Sequence, residues 1–263
     1  MKLRSVELTV PQPAAAAEFL ERVWRLAPVR VDNSAGYFRG SGTHPWILSL
    51  EQGEPAIRSI TFSGTAAEVK GRTEVKGPEG QVYCFVIDEK PVAELQDRDG
   101  PIRITHVVLN TSDREACERF AVEALGFKVS DRTRHMTFVR SDRKHHCLAF
   151  AQADAPSLNH IAFEMKDLDA VMRGIGRMRD AGFDVVWGPG RHGPGNNVFG
   201  YFVAPWGGLI EYTSEVSEVG EDYKVGAPED WTWPPGRIDH WGVSKKDTAR
   251  TAPAEKAFRF RAA

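Results

Sequence analysis

The sequence predicts an α+β fold of four repeated units, each one strand, one helix and then about three strands, a βαβββ order. Three observations carry this. Short runs of alternating apolar and polar residues, such as LRSVELTV and ITHVVLNT, are separated by a few amphipathic stretches. The two halves of the chain repeat the same order at one spacing: Ser5 matches His106 and Ser59 matches His160, both 101 residues apart. Finally, 263 residues suffice for one large or two small cores.

In the first half, LRSVELTV reads as a strand because β-branched and apolar residues alternate with polar ones. Residues 14–26, AAAAEFLERVWRL, read as a helix, with Phe19, Val23 and Leu26 on one face. Strands follow at 29–31, 36–39, 46–50, 57–63 (IRSITFS) and 81–88 (QVYCFVID). In the second half, residues 112–126 form a helix with Ser112 as N-cap, Glu115 three residues on and Gly126 just past the end. FKVSD, MTFVRS and HHCLAFAQ are strands. LNHIAFEM opens the fourth unit, whose helix covers 168–181 and stops at Gly182. FDVVWG, VFGYFVAP and GGLIEYTSE complete it. The second unit is shorter, with little room for a helix. Its last strand, GQVYCFVID, resembles GGLIEYTSE, and Tyr83 is read as the counterpart of Glu211.

Composition excludes several classes. The net charge of −2 and scattered Lys and Arg give no basic stripe for nucleic acid. No apolar run approaches the roughly 18 residues of a membrane span, and MKLRSVELTVPQP has no signal-peptide core. Cys84, Cys117 and Cys147 lie apart, without CxxC pairing, which argues against a disulfide framework or a cysteine–zinc site and for a reduced, cytoplasmic setting.

One stretch invites a different reading. GPGRHGPGNN, residues 188–197, contains G-x-G-x-x-G at Gly188, Gly190 and Gly193. A dinucleotide fingerprint must open a helix after a strand. Here Pro194 interrupts and VFGYFVA alternates as a strand, so the glycines read as turn residues that present His192. A dinucleotide oxidoreductase has no other support.

The duplication also separates scaffold from chemistry. The matched positions read Ser5, Ser59 and Tyr83 in the first half, and His106, His160 and Glu211 in the second. Two imidazoles and a carboxylate are the facial ligand set of non-haem Fe(II), which leaves coordination positions open.

THVVLN, HHCLAFA, LNHIAFEM, GRHGPGNNVFGYF and IEYTSE, in that order, resemble the vicinal oxygen chelate superfamily, and within it the type I extradiol catechol dioxygenases. The resemblance extends to about Glu215. It implies that the four modules pair into two barrel-like domains, the glyoxalase/extradiol dioxygenase fold. Residues 1–98 would be a degenerate pair without metal ligands, 99–216 the catalytic pair and 217–263 a Trp/Pro-rich tail. It further implies Fe(II) held by His106, His160 and Glu211, a set that also suits Mn(II). His146 would be the acid–base histidine, with His145 facing the opposite side of its strand. His192 and Tyr201 would hydrogen-bond the bound catecholate and reacting oxygen. Some relatives place Asn and Asp directly beyond the loop histidine. Here Gly193, Pro194 and Gly195 follow, and Asn196 and Asn197 come later, which puts the substrate's identity in question more than the chemistry.

The implied function is extradiol cleavage of a catecholic substrate with O2 by a homo-oligomer, with no nucleic-acid or membrane partner. A glyoxalase-like metal isomerase or transferase and a non-catalytic binding protein of the same fold are the alternatives. The remaining features read as structural. His44, His135 and His240 are surface residues and Asp131-Arg132-Thr133-Arg134 is a solvated turn. WTWPPGRIDHWG, residues 231–242, reads either as a lid or inter-subunit contact, as tails in some relatives cover the active-site mouth, or as a strap packing tryptophans on the outside, the favoured reading; the closing TARTAPAEKAFRFRAA is loosely held.

Overall fold

Each half of the duplication builds one mixed sheet in the computed structural model, which describes residues 1–260. The first half supplies β1 (Lys2–Val10), α1 (Pro13–Phe19), β2 (Ala27–Val31), β3 (Ala35–Arg39), β4 (Leu48–Gln52), β5 (Ala56–Gly64), α2 (Ala66–Val69), β6 (Glu74–Lys76) and β7 (Val82–Ile87). The second supplies β8 (Arg103–Thr111), α3 (Arg114–Glu123), β9 (Lys128–Arg132), β10 (Met136–Arg140), β11 (Leu148–Gln152), β12 (Ser157–Glu164), α4 (Leu168–Asp180), β13 (Trp187–Arg191), β14 (Val198–Val203) and β15 (Leu209–Ser214). The tail adds α5 (Thr248–Ala254) and β16 (Arg259–Phe260). The strands run β2-β3-β4-β1-β5-β7-β6 in one sheet, with β16 also on β5, and β13-β14-β15-β12-β8-β11-β10-β9 in the other.

The repeat is preserved in register. Glu7 pairs with Ser59 between β1 and β5, and Val108 pairs with His160 between β8 and β12. The last strand corrects the sequence alignment. Thr61 pairs with Cys84 and its counterpart Ala162 pairs with Glu211, so Glu211 corresponds to Cys84 and not to Tyr83. The spacing there is 127 residues, one fewer than separate Tyr83 from Glu211 and the same as pairing GQVYCFVID with GGLIEYTSE residue by residue. Backbone pairing decides which side chains share a face.

The helices cover the outer faces. On α4, Val171, Ile175 and Met178 are buried at helical spacing, and the Asp167 side chain caps the N-terminus by accepting from the Ala170 amide. The cap of α3 is Asp113, whose side chain accepts from the Ala116 amide. Ser112, expected in that role, instead donates to Glu79 from the first half. The helix predicted over 14–26 is α1 followed by a π-helical turn, Leu20–Trp24, that ends at left-handed Arg25. That turn delivers Trp24 to the centre of the core. Its ring stacks on Tyr212 of β15 at 3.7 Å, and Phe163 and Phe202 meet it edge-on.

The tail departs from expectation. It does not lie wholly outside as a strap, because Trp233, Ile238, Lys246, Glu255 and Lys256 line the main cavity of the second half. Its end is not loose either. Thr251, Ala254 and Phe258 are buried, and β16 runs parallel to β5 while Leu158 of β12 bridges Phe258. Residues 261–263 of that segment lie outside the described residues. Two further expectations fail. Asp131 is no turn residue: it lies in β9 and is fully buried. His44 is half-buried, whereas His135 and His240 are exposed.

Candidate metal centre

Three adjacent central strands, β15, β12 and β8, carry Glu211, His160 and His106. Ala162 on β12 pairs with Glu211 on one side and with His106 on the other. Residues opposite one another in neighbouring strands share a face, and so do residues two apart along a strand. Glu211, His106 and His160 therefore project together, with only the Ala162 methyl between them. The same alternation sends His106, Val108 and Asn110 to the cavity while Val107 and Leu109 enter the core.

The three ligand-type atoms converge. His106 Nε2 lies 3.3 Å and His160 Nε2 3.2 Å from Glu211 Oε2, which is fully buried and has no hydrogen-bond partner. This is the one group of three His, Cys, Asp or Glu side chains close enough to hold a metal ion among the described residues. Burial pushes the Glu211 carboxyl up, but the facing imidazoles outweigh it and hold it far below the usual carboxylate range. Burial also pushes His160 down, favouring the neutral imidazole that can ligate. Asn159 Oδ1 accepts from His160 Nδ1 at 2.7 Å, which fixes the tautomer and leaves Nε2 bare toward Glu211. A buried, unpartnered carboxylate oxygen facing bare imidazole nitrogens is a poor arrangement alone and a good one around a divalent cation, so the residues fit a metal.

The other expected residues surround this group. Tyr201 OH lies 3.5 Å from His160 Nε2 and 3.0 Å from His192 Nε2. Burial, and then Glu211, keep the Tyr201 hydroxyl protonated by raising its pKa well above the ordinary value. Burial lowers His192 to about 3, so it is neutral. The His146 ring stands 4.2 Å from that of His106 and is pushed well below its ordinary pKa by burial and by its histidine neighbours. His145 differs from expectation. It does not face away: both histidines precede β11, and their Nδ1 atoms are 3.0 Å apart.

The glycine stretch is only half a loop. Trp187–Arg191 is β13, and the turn proper is closed by the His192 amide donating to the Asn197 carbonyl. Gly190 is required by close approach: a Cβ there would come 2.4 Å from the Phe199 ring, which stacks beneath His192 at 4.0 Å. Asn197 Nδ2 donates to Thr213 Oγ1 at 2.8 Å and approaches Glu211 Oε1 at 3.4 Å, while Asn196 is exposed in the left-handed region.

The cavity above these residues measures about 650 Å³. Phe138, Met136, Trp187, Trp233 and Ile238 give it apolar walls, and Lys246 stands at Trp187, paired with Glu255. Sequence reasoning missed this wall, and it missed Asn159, Asp131 and the partnering role of His145. Asn159 beside His160 was the one readable signal. In the first half the counterpart positions hold a hydrogen-bonded cluster instead, with Ser5, Ser59 and Thr61 all donating to Glu7.

Fold and site together define a class. The chain belongs to the Glyoxalase/Bleomycin resistance protein/Dioxygenase superfamily, which residues 103–212 match. It is similar to the Mn(II)-bound glyoxalase from Novosphingobium aromaticivorans, at 30% identity and a TM-score of 0.83 over 95% of this chain and 93% of that one. It is also 32% identical to metapyrocatechase 2 of Cupriavidus necator over 139 residues, 52% of this chain but only 41% of that protein. A third relative, the 2,2',3-trihydroxybiphenyl dioxygenase of Sphingomonas paucimobilis, is 27% identical over 69% of this chain and 70% of its own.

Proposed function

We propose that this protein is an Fe(II)-dependent extradiol dioxygenase that opens the ring of a catecholic diol with O2. The observation that carries the reading is the set His106, His160 and Glu211 beside His146, His192 and Tyr201, at a cavity of about 650 Å³ with aromatic and aliphatic walls, room enough for an aromatic diol. Two relatives named as metapyrocatechase and trihydroxybiphenyl dioxygenase support it. A bound metal would acidify a chelated diol and supply the electron chemistry O2 requires, and Mn(II) would suit the same three ligands.

The protein's own groups do the rest. Phe138, Trp187, Trp233 and Ile238 hold the ring and exclude water. His146, neutral and facing the cavity, takes the proton that the diol must lose and returns it to developing negative charge on oxygen. Tyr201 and His192, bonded to one another, offer hydrogen bonds to the diolate oxygens beside His160. The tail adds Trp233, Ile238 and Lys246 to the cavity wall.

A glyoxalase-type isomerase is the second reading, favoured by the similarity to the Novosphingobium protein. The experiment is anaerobic reconstitution with Fe(II) or Mn(II), then a panel of mono- and bicyclic catechols followed by O2 uptake and yellow-product absorbance. A thiohemiacetal isomerisation assay runs in parallel. Turnover of a thiohemiacetal with no O2 uptake on any catechol would sink the dioxygenase reading. Under that reading, His146→Phe keeps metal and catechol binding while ring opening falls by on the order of 10²-fold or more.

A further inference from the structure

We propose that Asp131, acting through His145, is a positioning residue that fixes the tautomer of His146 and leaves its Nε2 bare toward the cavity. The inference rests on the reading of His146 as the group that handles the substrate proton, but its structural half stands without it.

Asp131 is fully buried in β9, and both of its oxygens accept. Oδ1 takes the Gly226 amide at 2.7 Å. Oδ2 lies 2.6 Å from His145 Nε2 and 3.1 Å from the Tyr223 hydroxyl. A carboxylate can only accept, so His145 Nε2 carries a proton. A neutral imidazole with its proton on Nε2 has a bare Nδ1. That atom sits 3.0 Å from His146 Nδ1, which must then be the donor. The proton of neutral His146 is thereby placed on Nδ1, and Nε2 is left with a free lone pair.

Packing holds the arrangement. The His146 ring is caught between Phe138, met edge-on at 5.2 Å, and His106. The His145 amide donates to the Ser217 carbonyl, and the Ser217 amide to that of Gly195. A Cβ at Gly195 would come 3.0 Å from His146 Cε1 and 3.2 Å from His145 Nδ1, so the hairpin closes directly over the pair. Tyr223 and Gly226, which complete the shell of Asp131, belong to the tail. The tail, which lines the cavity, also holds the carboxylate that orients the base.

The isosteric variant D131N tests this sharply. An asparagine amide can donate to His145 Nε2, which moves the His145 proton to Nδ1 and so forces the His146 proton to Nε2. The full-length chain is labelled with ¹⁵N-histidine and loaded with Zn(II), a diamagnetic ion, and two-bond ¹⁵N–¹H correlations report which ring nitrogen carries the proton. Wild type is expected to show His145 as Nε2–H and His146 as Nδ1–H, and D131N the reverse at both. In the Fe(II)-reconstituted enzyme, kcat of D131N should fall by on the order of 10²–10⁴-fold, the scale on which a wrong histidine tautomer acts. KM and Zn(II) affinity should stay within about threefold, since neither substrate nor metal touches Asp131.

A wild-type spectrum with His146 as Nε2–H, or with His145 doubly protonated, overturns the proposal, and that spectrum needs no variant to fold. An unchanged tautomer and kcat in folded D131N overturn it too. If the wild type turns over no catechol, the dioxygenase reading fails while the tautomer result still decides this one.

Discussion

His106 and Glu211 face each other across a single alanine. Both pair with Ala162, one from β8 and one from β15, and His106 Nε2 stands 3.3 Å from Glu211 Oε2. With His160 two residues away on the same strand face, the pair forms a negatively charged corner in an apolar interior. Glu211→Gln keeps the shape of that corner and removes its charge. The variant should fold, yet bind Fe(II) or Mn(II) at least about 100-fold more weakly. Metal added at 100 times the wild-type Kd stabilises the wild type by about 2.7 kcal/mol and should leave the variant's Tm nearly unmoved. Equal metal-induced Tm shifts would remove Glu211 from the ligand set.

The alanine itself makes a separate prediction. Ala162 is fully buried and its side chain rises among the three ligands. Ala162→Leu places three extra carbons where a cation would sit, without deleting any ligand. Metal binding should be lost, with a further overpacking cost of about 1–3 kcal/mol seen in urea unfolding of the metal-free chain. Retained metal affinity would mean that the ion lies elsewhere.

Much of this was legible from spacing. The 101-residue repeat is a property of the strands themselves, so it survives folding, and it puts His106 and His160 at equivalent places. The 101-residue spacing breaks down only at the end of the second unit, whose linking helix shrinks to the four residues of α2. There taking Tyr83 as the counterpart of Glu211 is out by one, although GQVYCFVID set residue by residue on GGLIEYTSE puts Cys84 in that place, and one residue in a strand is the other face. Asp131 was misread for a related reason. In DRTR, three of four residues are charged, which is the composition of an exposed turn, and nothing local reveals that the tail returns from 95 positions away to bury it through Gly226. Strand alternation also failed for His145, because the two histidines lie just before β11, where the rule of opposite faces does not yet hold. The cavity wall was illegible because the tail supplies part of it from beyond the repeat.

His44 gives the fold a pH dependence outside the candidate site. Burial, and then the nearby Arg103 and Arg4 charges, lower it to about 4. A histidine lowered on folding is neutral in the native chain and protonates first in the unfolded one. Its contribution is therefore complete above the unfolded value of about 6.5 and is lost as pH falls toward about 4. His44 is only half-buried, so solvent screening limits the effect to about 1 kcal/mol. Urea unfolding midpoints of wild type and His44→Gln between pH 4 and 7.5 should diverge above pH 6.5 less than below it, with the wild type losing more on acidification. Parallel curves would assign the acid sensitivity to other groups.

Trp233 tests whether the tail takes part in binding. It is half-buried, lies in the segment expected to be an outer strap, and lines the same cavity as Asn159 and His160. Its indole forms part of the apolar wall, so Trp233→Ala removes surface that a bound ring would cover. Losing about 50 Å² of that contact weakens binding by about 1–2 kcal/mol, on the order of 10-fold in KM. The ligand atoms of His106, His160 and Glu211 are untouched, so metal affinity should match wild type, and kcat should change far less than KM because ground state and transition state lose the same contact. Steady-state kinetics on whichever catechol the panel identifies, with metal titration of the same preparations, separate the outcomes. A variant with wild-type KM would return the tail to the role of a structural strap, while one that loses metal would show that the tail supports the ligands themselves.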